Sequence, residues 1–311
     1  MERYSSDNYD DTAKERLRAL ANWLSVECRQ PKILDIINTI INEIPKLHRK
    51  DLWSAQLIAN YLTRKILANE PVIMEEGMQV LVFANLEPDF PLCIAAHSLP
   101  VLSDLADAWH PKIAGNMLAP VNDSLELEHC TSVVRRALKL IAFDSTSQSL
   151  VTNHCAAICI IKATPVLEEG QCVSLCSRTT PGIIYISSAP AILMAESIVH
   201  ESAHQMLYAI TENHQLFIDE NIKINTPLRT DLRPISGLLH QLWVLHHLVV
   251  FYRSLLASSD ELIERNRQKI EKRLKQHIDD LTSGCAVLDG NSYALAEMGA
   301  QLFSEIRLAA A

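Results

Sequence analysis

His200-Glu201-Ser202-Ala203-His204 lies between the apolar pairs Ile198-Val199 and Met206-Leu207. On an α-helix, positions four apart share one face, so both imidazoles can address one metal ion while Glu201 projects beside them. A catalytic ion held by two histidines needs a third protein ligand, and the identity of that ligand separates the possible chemistries. Asp219, Glu220, Asp231 and His240 are the candidates. Glu220 would complete the two-histidine, one-carboxylate set of one zinc-peptidase class. It lacks that class's helical Glu motif with a second carboxylate four residues on. The extended zinc-peptidase form fails as well, because Leu207 and Tyr208 stand where its glycine should be.

His240 closes a different segment, Arg233-Pro234-Ile235-Ser236-Gly237-Leu238-Leu239-His240. The pentad followed by an R-P-x-x-G-x-x-H stretch resembles the HExxH-type peptide-modification proteins of ribosomal peptide natural-product pathways, iron- and 2-oxoglutarate-dependent peptide β-hydroxylases. The likeness spans Gly182 to Tyr252. It implies His200, His204 and His240 as iron(II) ligands and Arg233 or Arg229 close to the metal. It further implies 2-oxoglutarate as cosubstrate and a ribosomally made precursor peptide as partner. The family often continues with glycine after the last histidine; this chain has Gln241.

The residues themselves are compatible with that implication. Pro234 fixes the start of a helix, and Gly237 removes a side chain on the turn before His240, so that another backbone or a ligand can approach. An iron oxygenase uses one face of three protein ligands and leaves the remaining positions for a 2-oxo acid and dioxygen. The distal carboxylate of that acid calls for a planar, bidentate cation, which arginine supplies better than lysine. Arg233 and Arg229 are also placed to pair with Asp231 or Glu220.

Glu201 has a different role in each chemistry. In a zinc peptidase it is the general base; in an oxygenase it orients a ligand imidazole or is itself a ligand. The alternatives to hydroxylation are therefore a zinc metallopeptidase cleaving a leader or other short peptide, and a non-catalytic peptide-binding protein with a structural metal. His246 and His247 read as packing or polar-face residues. The charge-dense stretch from Glu264 to Lys275 reads as a solvated helix face, with a precursor-peptide groove as its minor reading.

Elements that could position these residues follow from periodicity. Thr12 to Glu27 carries Leu17, Leu20, Ala21 and Leu24 on one stripe; runs from Pro31 to Ile41 and from Leu52 to Leu67 are also helical in pattern. Prolines at 71, 88, 91 and 100 break the next section, and Ser124 to Phe143 resumes as helix. Cys155–Ile161, Cys172–Cys176 and Ile183–Ser187 are β-type runs split by turn residues, expected as a small antiparallel meander. Helices are expected at Ala191–Thr211, Pro234–Ala257, Glu261–Thr282 and Ser292–Leu308. The fold class is α+β, mainly helical, with a small antiparallel sheet next to a zincin-like HExxH helix. A helical region over 1–150 would precede a metal-binding catalytic region over 151–311, or the two would form one continuous domain.

Composition narrows the partners. The chain has 311 residues, 48% of them hydrophobic, enough for a sizeable core. Its net charge of −9 gives no electrostatic reason to bind nucleic acid or anionic lipid. Apolar runs stop short of the roughly 18 to 20 residues of a membrane span, and the polar residues 1–7 do not read as a signal peptide. Cytoplasm is the expected location, with eight cysteines reduced and mostly buried.

Overall fold

The structure, a computed structural model, describes residues 6–27, 34, 38, 41–42, 84–85, 92–95, 118–120, 124–155, 157–163, 172–178 and 180–310. The expected helices over Pro31–Ile41 and Leu52–Leu67, and most of the proline-broken section, lie outside the described residues. Helix α1 (Ser6–Glu27) buries Leu17, Ala21 and Leu24, the stripe its periodicity marked. The chain forms two compact units that interleave along the sequence. One holds residues 1–132 and 155–188, the other 133–154 and 189–311.

The first unit contains a mixed sheet. Strands β1 (Ala84–Asn85), β2 (Leu92–Ala95), β4 (Ala157–Ala163), β6 (Thr180–Ser187) and β5 (Ser174–Ser177) follow one another in that order, and β3 (Leu118–Pro120) pairs with β4. β2, β4 and β6 run parallel; β1, β3 and β5 pair antiparallel to their neighbours. Since β6 occupies one edge of β4, the other edge is shared end to end by β2 at Ala157–Ile160 and β3 at Ile161–Ala163. The expected antiparallel meander is thus only the β5–β6 hairpin. The physical reason is legible in burial: Ile158 to Ile161 and Ile183 to Ile186 are buried without alternation. That is the signature of central, parallel strands covered on both faces rather than of a hairpin with one wet face.

The second unit is helical. It contains α2 (Ser124–Ile141) from Val133 onward, α3 (Ser145–His154), α4 (Ala191–Asn213), α5 (Ile235–Ala257), α6 (Glu261–Asp289) and α7 (Glu297–Ala310). A hairpin of β7 (Lys223–Thr226) and β8 (Arg229–Pro234) leads into α5. Pro190 and Pro234 stand as the residues before α4 and α5, both extended with φ −56°. A proline there gives up no helical N–H and presets the entry of the chain. Asp260 starts α6, accepting from Leu262 N at 2.8 Å, while its carboxylate takes both contacts from Arg136 Nη2 of α2 at 2.6 and 2.7 Å. α6 runs past the expected stop at Thr282 because Gly284 serves packing, not termination. A Cβ there would meet Leu242 Cδ2 of α5 at 2.5 Å. α5 is long and apolar enough to cross a membrane by length and composition, and 67% of its apolar window is buried inside the protein.

α4 packs against α3 and α5. From Met194 to Ile210 every residue is buried except His200, His204 and Tyr208. A helix buried nearly all round must satisfy each charge it carries with a partner. Glu196, 7% exposed, does so with side chains from two other helices. Its Oε2 accepts from Tyr252 Oη of α5 at 2.5 Å, and Arg273 of α6 donates from Nη2 to Oε1 at 2.6 Å and from Nε to Oε2 at 3.0 Å. His277 Nε2 stands 3.5 Å from Oε1.

Burial alone would raise the Glu196 carboxyl; the facing His277, the Arg273 guanidinium and the Tyr252 hydroxyl overcome it and hold it at about 2. A carboxyl depressed in the folded state contributes stability above its unfolded value, and that contribution is lost as pH falls through the folded value. Glu196→Gln is therefore expected to destabilise the protein at pH 7 by about 2 to 3 kcal/mol, discounted for the half-exposed guanidinium. In urea titrations the gap between parent and variant should narrow as pH falls from about 4.5 toward 2. A gap constant with pH would refute the assignment.

Candidate functional site

His200, His204 and Tyr208 are spaced i, i+4, i+8 on α4 and form the one partly accessible row of its central stretch. His240, one turn into α5, meets that row. His204 Nε2 lies 3.0 Å from His200 Nε2, and His204 Nδ1 lies 2.5 Å from His240 Nε2. The ring centroids are 4.7 Å apart for His200 and His204 and 4.5 Å apart for His204 and His240. Tyr208 stacks on His204 at 6.3 Å and meets His240 edge-on at 5.3 Å. Burial, followed by the positive charges that His200 and His240 would bring beside it, lowers the His204 pKa to about 2. His204 is accordingly neutral, the form that carries a lone pair.

The three expected ligands are thus together, while the competing carboxylates are engaged elsewhere or exposed. Asp219 accepts from Asn221 N at 2.9 Å, Asp231 accepts from Arg233 Nε at 3.1 Å, and Glu220 is exposed. The donor chemistry fits a transition metal, and the 3.0 Å between His200 and His204 Nε2 fits two neighbouring ligands. Donors at ~2.1 Å from one ion, set at a right angle, lie ~3.0 Å apart. His240 fits less well, since it faces Nδ1 of His204 rather than Nε2. Among the described residues no three His, Cys, Asp or Glu side chains converge as a metal-holding group.

Arg233 lies on β8, partly exposed, with its guanidinium spent on Asp231; Arg229 is on the same strand, its side chain outside the described residues. Glu201 is buried at 4% exposure and does not share the accessible row. Gly237 was expected to admit a neighbouring backbone or ligand. A Cβ built there meets nothing within 4 Å, so the space one turn before His240 is open. His246 and His247 pack with Trp243 and each other, ring centroids 4.8 to 5.8 Å apart. Burial holds His246 down at about 4 and His247 well below its ordinary value. On α6, Arg265 pairs with Glu261, Arg267 with Glu264 and Lys275 with Asp279, so the charge-dense helix largely neutralises itself.

Sequence reasoning missed Tyr208. The signal was available: it continues the four-residue spacing of His200 and His204 by one more step. No protein-family model matches the chain, and no curated protein is significantly similar to it.

The open space at Gly237 yields a direct test. Replacing a helical glycine with alanine where nothing obstructs the methyl group should stabilise the protein by about 0.5 to 1 kcal/mol. Thermal unfolding of Gly237→Ala should show a higher midpoint; a lower one would mean that the space is filled.

Proposed function

We propose that the chain is an iron(II)- and 2-oxoglutarate-dependent enzyme that hydroxylates the β-carbon of a residue in a ribosomally made precursor peptide, acting in the cytoplasm. The observation that carries this reading is the meeting of His240, from α5, with His200 and His204 on the one partly accessible row of the central stretch of α4. A third imidazole, rather than Asp219, Glu220 or Asp231, joins the pentad pair. The resemblance at Arg233 to His240 adds the cosubstrate and the peptide. The metal, when bound, supplies dioxygen activation coupled to decarboxylation of the 2-oxo acid.

The chain's own part is to hold and to orient. His204 is kept neutral, all three histidines are partly buried, Tyr208 braces the rings of His204 and His240, and the apolar surround limits water. Full use of the three histidines requires His240 to turn its Nε2 from the Nδ1 side of His204 toward the side that faces His200. The Arg233–Asp231 pair is a surface pair of little net worth, so its guanidinium can exchange Asp231 for the distal carboxylate of 2-oxoglutarate without a large penalty.

Two outcomes are expected. Protein reconstituted anaerobically with iron(II), then exposed to oxygen and 2-oxoglutarate, should form succinate above the level of a His200→Ala control. X-ray absorption should count three imidazole nitrogens on the iron. Peptide cleavage by zinc-loaded protein, with fragments summing to substrate plus water and abolished in Glu201→Gln, would overturn the reading in favour of a peptidase.

Arg233→Lys keeps the charge but loses the bidentate geometry. Removing such a charge-assisted pair costs about 1.5 to 3 kcal/mol, so the apparent constant for 2-oxoglutarate should rise about ten- to a hundredfold with iron affinity nearly unchanged. Unaltered 2-oxoglutarate binding in both Arg233→Lys and Arg229→Lys would remove both arginines from the cosubstrate site.

A further inference from the structure

Side-chain contacts join α4 to α5 toward both ends of the same pair of rows. On α4, Glu196, His200, His204 and Tyr208 are each four residues apart; on α5, His240 and Tyr252 are three such steps apart, with buried Val244 and Leu248 between them. Rows of this kind are the ridges along which helices pack. His204 meets His240, and Glu196 meets Tyr252, so advancing toward the C-terminus of α5 means retreating toward the N-terminus of α4. The two helices are therefore antiparallel. Their contacts are about 12 Å apart along α4 and about 18 Å apart along α5.

We infer that Glu196 and Tyr252 are positioning residues that set the register of α5 on α4, and so bring His240 to His204. Between the two contacts the α5 row offers only Val244 and Leu248, whose packing is non-directional and tolerates sliding or rotation. A hydrogen bond from a phenol to a buried carboxylate has a fixed length and direction, and it cannot slip by a turn without leaving the carboxylate short of a donor. Arg273 supplies the anchorage. Its two donors approach Glu196 from α6 and hold the carboxylate in one orientation, so that Tyr252 meets a fixed acceptor.

Importance for metal binding rests on the proposal that the three histidines are a metal centre; the register itself does not. The test has one arm for each. In full-length, metal-free protein labelled in its histidine side chains, a nuclear Overhauser contact between the His204 and His240 rings should be present in the parent. It should be lost in Tyr252→Phe, which keeps the ring and removes the hydroxyl. Asp260→Ala, which removes the α6 cap and the Arg136 pair but touches neither row, serves as the stability-matched control and should retain the contact.

In the second arm, cobalt(II) should bind Tyr252→Phe on the order of tenfold more weakly than the parent, with an altered visible spectrum, while Asp260→Ala binds as the parent does. A ring contact that persists in Tyr252→Phe, or that is missing from the parent, overturns the inference. Loss of the contact in both variants reduces Tyr252 to general stability and overturns it too. A parent that shows the contact yet binds no cobalt leaves the register assignment standing and removes the metal centre.

Discussion

Burial of α4 is the constraint from which the rest of the helical unit follows. With nearly every position of the helix inside the protein, a charge on it has no water to fall back on. Glu196 in that setting demands cationic and hydroxyl partners, and α5 and α6 supply them. Satisfying one buried carboxylate therefore ties three helices together at one point. In the central stretch of the helix the same burial leaves a single partly open row of His200, His204 and Tyr208.

Electrostatics at the two ends of that row are opposite in kind. Around Glu196 a buried anion is matched by a guanidinium, and its carboxyl is held low. Around His204, burial together with neighbouring imidazoles keeps the ring neutral. Neutral imidazoles in a partly dry setting are suited to donating lone pairs, whereas the Glu196 end is suited to holding helices still. Separation of the two tasks along one helix lets one end be rigid while the other stays accessible.

Much of this was legible in the sequence. The i, i+4 spacing of His200 and His204, the proline entries at Pro190 and Pro234, and the apolar periodicity of α4, α5 and α6 gave the helices and the face they share. The parallel pairing of β4 and β6 was not legible by spacing, since turn residues between short apolar runs suggest hairpins. Unbroken burial of Ile158 to Ile161 and Ile183 to Ile186 in the fold marks them as central strands. Gly284, inside α6, is a close-contact point against Leu242 that no local pattern marks.

The sequence by itself determined which residues could act and on which helical rows they lie, because a period of 3.6 residues is a local property of the chain. Only the tertiary structure decided which row meets which. His240 stands 36 residues from His204, and Tyr252 stands 56 from Glu196. No local rule relates positions so far apart; antiparallel packing of α5 on α4 does. That packing also decided that an imidazole rather than one of three nearby carboxylates meets the pentad pair, since Asp219 and Glu220 lie on an exposed connection and Asp231 is exposed on β8, while His240 lies on the helix that α4 packs against.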